Sequence, residues 1–383
     1  SAQTLARYLK GLLLADFYDK FGRRNALRSL AASGLALMLD ACGKPVVRAS
    51  PVLLGHRTRT WRMGFSHMPP RPTVKAVIDG INLWSRRAEL AIVHEELPWA
   101  DLLAGVSPEA ILKRDKVDLV KYLRSKGLAL TVMLDLTNGL GREGEAPALV
   151  KARRSLTEPA VQQLAKAYAL AVEAMLRPDW LGLAAETNLI RQLAPPELYR
   201  AVRETANELE QALAASNARS RRFVSIQAEA AWGRMLAQGA YVGIAQDFSD
   251  FPFTSALGIS SYPYFGHADP AEIPDEYYIR LRGSTGLPVI VTEGGWASAS
   301  VGPIKSSPQH QARYIARHAE LLDSVDAVGW FQLQFAELDL KAFPGPLPDI
   351  VPLFVSIALT DPEFREKPAL AVWDGLFQRR WAG

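Results

Sequence analysis

Leu287-Pro-Val-Ile-Val-Thr-Glu293-Gly-Gly-Trp296 is a short apolar run that ends on a carboxylate and a pair of glycines. A run this short, rich in β-branched residues and bounded by proline and glycine, reads as a buried strand rather than a helix. The same grammar recurs on both sides of it. Strands are expected at residues 62–66, 89–94, 128–135, 181–185, 223–228, 257–262, 287–292 and 327–334, each followed by a polar or Gly/Pro-rich turn and a helical pattern. Their first residues lie between 27 (62 to 89) and 53 (128 to 181) positions apart. Helical spacing of apolar residues is clearest over 158–175 and 196–215, and Ser307-Pro-Gln-His-Gln opens a further helix with a capping serine and proline at its first position. Strands alternating with helices at this interval predict an α/β fold, and eight such units over residues 61–383 predict a (β/α)8 barrel. A doubly wound open sheet would carry a glycine-rich phosphate turn after its first strand. Here that turn is Phe65-Ser-His67-Met-Pro-Pro70.

Composition narrows the function. The chain has 383 residues, 49% of them hydrophobic, a single cysteine (Cys42) and a formal net charge of +4. One cysteine excludes an intrachain disulfide framework and a cysteine-based zinc site. The six histidines (56, 67, 94, 267, 310 and 318) show no paired metal-binding spacing, so neither metal nor cofactor is expected. Residues 1–62 hold 11 Lys and Arg against 3 Asp and Glu, so the excess basic charge sits at one end and the body is mildly acidic. Such a body repels phosphate, and no nucleic-acid partner is expected.

The basic end reads as an address. Arg23-Arg24 precede the apolar run Leu30-Ala-Ala-Ser-Gly-Leu-Ala-Leu-Met-Leu39, followed by Leu39-Asp-Ala-Cys42. This pattern resembles a twin-arginine export signal with a lipoprotein box. The resemblance implies lipidation of Cys42 and a periplasmic or cell-surface protein that touches the membrane only through that anchor. Residues 1–41 are thus expected to be extension and signal, and 42–60 a tether.

Catalytic groups in such barrels sit at the C-terminal ends of strands. Strand four reads Leu181-Gly-Leu-Ala-Ala-Glu186-Thr-Asn188, and strand seven reaches Glu293. Thr292-Glu293-Gly-Gly-Trp296-Ala-Ser298 closely resembles the strand-seven motif of the clan A retaining glycoside hydrolases, in particular their endo-galactanase and β-1,3-glucanase branches. The tail Leu359-Thr-Asp-Pro-Glu-Phe-Arg-Glu-Lys367 resembles the closing segment of such barrels. The resemblance implies Glu186 as acid/base, Glu293 as nucleophile, Tyr262 as a tyrosine near the nucleophile and Trp330 as an aromatic platform. It further implies a β-linked carbohydrate substrate. Trp296 is a second aromatic at a strand end, where flat rings stack on sugars. Gln227, Glu229, His67 and Asp135 are candidate hydroxyl-binding groups. The family carries Asn immediately before the acid/base glutamate, and here that position is Ala185; Asn188 is the nearest amide. Two classes of function follow: a retaining glycoside hydrolase, or a carbohydrate-binding barrel lipoprotein that has lost turnover.

Overall fold

In the computed structural model, residues 58–139, 141–235, 239–343 and 351–383 are described. The expected signal, the arginine pair and Cys42 lie outside the described residues. Eight parallel strands close into a barrel in sequence order: β1 Arg62–Ser66, β2 Leu90–Glu96, β3 Ala129–Asp135, β4 Trp180–Ala184, β5 Arg221–Gln227, β6 Leu257–Ser261, β7 Val289–Gly294 and β8 Gly329–Gln332. β1 pairs with β8, so no sheet edge is left open. The outer layer includes α1 Val74–Trp84, α2 Val117–Ser125, α3 Pro159–Leu176, α4 Thr187–Leu193, α5 Pro196–Ala215, α6 Tyr277–Arg282, α7 Pro308–Asp323 and α8 Pro368–Phe377. Ser307 caps α7 as the sequence suggests, its side chain accepting from His310 N.

The interior is packed rather than open. Leu90, Ile92, Met133, Ala185, Phe223, Ala256, Ile290 and Phe331 form one inner cluster, separate from the apolar layer between strands and helices. Residues 42–57 of the expected tether lie outside the described residues. Arg59 is buried, pairs with Glu89 and exchanges backbone hydrogen bonds with the C-terminal Arg380 and Ala382.

The last strand corrects the sequence reading. The resemblance implied that Trp330 faces the mouth as a platform, and alternation along residues 327–334 then puts Phe331 on the opposite face, against the helices. The reverse holds for the strand itself. Phe331 enters the inner cluster, whereas Trp330 is fully buried outside the barrel against Trp61, His318 of α7 and Trp373 of α8. An aromatic residue serves either layer equally well, so alternation alone does not say which face is inside.

Candidate active site

Glu186 and Glu293 come together at the C-terminal mouth, and each of their strands carries an irregularity just before the carboxylate. Between β4 and β5 the register passes from Gly182–Phe223 to Ala184–Val224. Between β6 and β7 it passes from Ile259–Val291 to Ser260–Glu293. One extra residue, Leu183 or Thr292, is thereby inserted in the carboxylate-bearing strand, and such bulges re-aim the side chains that follow. Glu186 also sits in the left-handed region at φ 49°, ψ 48°, at the start of α4. That conformation costs a residue with a side chain about 1–2 kcal/mol, and strain of this kind clusters at functional sites. Its backbone N–H is held by Ser225 Oγ at 2.9 Å.

The two glycines after Glu293 have separate reasons. A Cβ at Gly294 would fall 2.4 Å from Ser261 O, and one at Gly295 (φ 154°) 2.6 Å from Gln332 Nε2. Both let β7 press against its neighbours at the level of the carboxylate. The segment beyond is closed by the tail: Ser298 N donates to Ser356 O, and Lys367 Nζ reaches Ser298 Oγ, Ala358 O and Glu337. The two stretches that carry the resemblance are therefore in contact. Gln332 belongs to this seam, donating to Ile357 O at 2.8 Å.

The electrostatics of the pair are asymmetric. Burial raises Glu186 to about 7, with Arg142 opposing the rise and the negative Glu293 adding to it. Burial raises Glu293 as well, but Arg142, Ser260 and a hydrogen bond from Glu186 pull it back. The proton shared between these carboxyls therefore resides on Glu186. His94, from the end of β2, places Nε2 3.3 Å from Glu293 Oε2. Burial and the Arg142 charge hold its pKa near 4, so the ring meets Glu293 uncharged at neutral pH. Glu293 keeps 18% of its side chain exposed, which leaves it open to a ligand.

Arg142 escapes sequence reading. It lies in the loop after β3, at φ 63°, buried between two carboxylates: Nε donates to Glu186 Oε2 at 2.8 Å, and Nη1 to Asp135. Its only signal is a lone arginine in the glycine-dense stretch Asn138-Gly-Leu-Gly-Arg142-Glu-Gly144 directly after a strand. Ser260 and Ser225 offer no signal, since neither residue type stands out in a strand.

The remaining expected residues divide. Tyr262 belongs to the site: burial, then Glu293 and Glu186, keep its hydroxyl protonated well beyond neutral pH. Asp135 belongs through Arg142. His67 is buried beside His94 and Lys116, whose charge helps burial hold its pKa near 3.

Four others are consumed by structure, which corrects their assignment to ligand binding. Asn188 is fully buried, its Nδ2 donating to Gln227 O and its Oδ1 accepting from Gln227 N. Gln227 spends its own amide on Glu229 and Ala230 N. Glu229 accepts from Tyr277 OH, Ser261 Oγ, Gln227 Nε2 and Tyr262 N, a knot behind β6. Trp296 is buried against Tyr264 and Tyr314, with its indole N–H on Ser306. With Trp330, neither expected platform faces the mouth. Asn188→Ala leaves two buried backbone groups of Gln227 unmatched and is expected to lower stability by about 1–3 kcal/mol in urea unfolding.

No protein-family model and no curated protein matches this sequence. Solved structures do match its fold. The exo-β-1,4-mannosidase Op5Man5 from Opitutaceae bacterium strain TAV5 superposes with a TM-score of 0.63 at 15% identity, over 85% of this chain and 61% of that one. The two share the barrel fold. A GH5_18 protein from Streptomyces cattleya, solved with GlcNAc, gives a TM-score of 0.57 at 17% identity, covering 84% of this chain and 80% of that one. Xylanase 10B from Thermotoga maritima gives 0.56 at 12%, covering 83% and 95%. The chain thus spans less than two thirds of the mannosidase's length, and at these identities what is shared is the barrel.

Proposed function

We propose that the chain is a retaining glycoside hydrolase acting on a β-linked poly- or oligosaccharide. The observation that carries this reading is the meeting of Glu186 and Glu293 at one mouth, where each shifts the other's protonation and Arg142 bears on both. An inverting pair stands ~6.5–9.5 Å apart to admit a water, whereas a retaining pair stands at ~5–5.5 Å. Two carboxyls that each shift the other's protonation favour the closer, retaining arrangement.

In the first step Glu186 gives its proton to the glycosidic oxygen as the bond to the anomeric carbon breaks, and the Glu293 carboxylate bonds to that carbon. In the second, Glu186, now ionised, takes a proton from water, whose oxygen displaces Glu293 and leaves the sugar with its original configuration. Arg142 suits this cycle. Burial pushes Glu186 up, and Arg142 stabilises it after proton loss and limits that rise, so Glu186 titrates near 7. Arg142→Met is expected to move the alkaline limb of the kcat/KM profile up by about one pH unit or more, since the lost cation favoured the ionised form.

Reducing-sugar release from a panel of β-glycans tests the reading, and β-1,4-mannosides belong in it given the mannosidase neighbour. Ala185, packed in the inner cluster, supplies no amide at the mouth and favours the second reading, a barrel that binds glycans without turnover. That reading gains if wild type and Glu293→Gln are equally inert while both bind. From the sequence we also infer export and anchoring at Cys42, which mass spectrometry of the membrane-extracted protein tests.

A further inference from the structure

Outside residues 1–62 the chain carries more acid than base, yet one end of the barrel is arginine-rich. It is the foot, where the strands begin. Lys126 precedes β3, Arg177 precedes β4, Arg219 and Arg221 lie at the start of β5, and Arg380 lies beside β1; all are exposed. Exposed acids on the strand-entry turns there include Asp179 and Asp326. Among the described residues no carboxylate pairs with Arg177, Arg219 or Arg221. A cleft at the foot of β5 is lined by Arg219, Ser220, Arg221, Arg222, Phe253 and Ser255. Indole rings stand at the same level: the Arg221 guanidinium lies 5.1 Å from the Trp180 ring centroid, and Arg62 lies 4.0 Å from that of Trp381, which is 37% exposed. The basic N-terminal segment joins the body at this end too, since Arg59 N donates to Arg380 O.

We propose that the foot docks on an anionic bilayer surface, the cleft at β5 seating a lipid headgroup phosphate, with the mouth turned away from the membrane. Arginine answers the charge of such a surface, and tryptophan at the same height is the residue of membrane interfaces. The orientation leaves Glu186 and Glu293 facing solvent whatever they act on. It requires neither turnover nor lipidation.

The test is co-sedimentation of the full chain carrying Cys42→Ser with vesicles of phosphatidylcholine, with or without phosphatidylglycerol. The parent is expected to bind only the mixed vesicles, and less as NaCl is raised. Arg177→Glu/Arg219→Glu/Arg221→Glu is expected to weaken binding on the order of 10²-fold or more, each basic residue near an anionic surface being worth about a factor of five. Lys75→Glu/Arg313→Glu/Arg365→Glu, which reverses three charges elsewhere, is expected to bind as the parent does. Equal binding by the foot variant and the parent would assign the attraction to residues 1–57 and overturn the proposal. Salt-insensitive binding, or equal binding to phosphatidylcholine alone, would overturn it as well. All substitutions are at partly or fully exposed positions, and an unchanged thermal unfolding midpoint separates lost docking from lost folding.

Discussion

Glu293→Gln is expected to lower kcat on the order of 10⁴–10⁶-fold, the range seen when one member of a catalytic unit is removed. The loss follows from geometry. Glu293 has the neutral His94 ring 3.3 Å from one oxygen and Glu186 facing it, and it is the carboxyl that the surroundings ionise first. An amide of the same shape keeps the packing but cannot form the covalent bond. Glu293→Gly adds a sharper control. With an aryl β-glycoside and added azide, a retaining site is expected to recover turnover and to release the α-glycosyl azide, because azide enters from the face that Glu293 leaves vacant. Folding is checked by unchanged urea unfolding of the Gln variant.

Glu186→Ala should separate substrates by their leaving groups. Acid assistance is worth about 10²–10⁴-fold, so release from an unactivated glycan is expected to fall by that amount. An aryl glycoside with an acidic phenol needs no proton and should form the glycosyl intermediate at a rate close to wild type, then accumulate it, since hydrolysis has lost its base. The pH profile carries the same assignment. Glu186 must be protonated, so activity falls as pH rises through about 7. Glu293 must be ionised, so activity also falls as pH drops through its own raised pKa. The optimum is therefore expected on the acid side of 7, and Glu186→Ala should remove the alkaline limb while leaving the acid one.

Much of the frame was legible in the residues. The eight strands fall within a few positions of their expected starts, β1 and α5 at the expected residues, because short apolar runs between turn signals and long amphipathic helices are local patterns. Glu186 and Glu293 were legible for the same reason, as acids placed directly after such runs. What failed was anything decided by the third dimension. Trp330 and Phe331 are interchangeable in hydrophobicity, and only closure of the barrel selects which one enters it. Asn188, Gln227 and Glu229 stand at a strand end as binding residues would, yet they satisfy one another behind β5 and β6. Arg142 reaches Glu186 from 44 residues away through a left-handed turn that no spacing rule anticipates. The bulges at Leu183 and Thr292 are equally silent, because register belongs to the neighbouring strand as much as to the bulged one.

The covalent intermediate offers the most direct measurement. With the glycan identified by the reducing-sugar screen, the matching 2-deoxy-2-fluoroglycosyl fluoride should inactivate the enzyme stoichiometrically, and peptide mass mapping should place the sugar on Glu293. An adduct on another residue, or release of the inverted anomer with no adduct at all, would contradict a double displacement between Glu186 and Glu293.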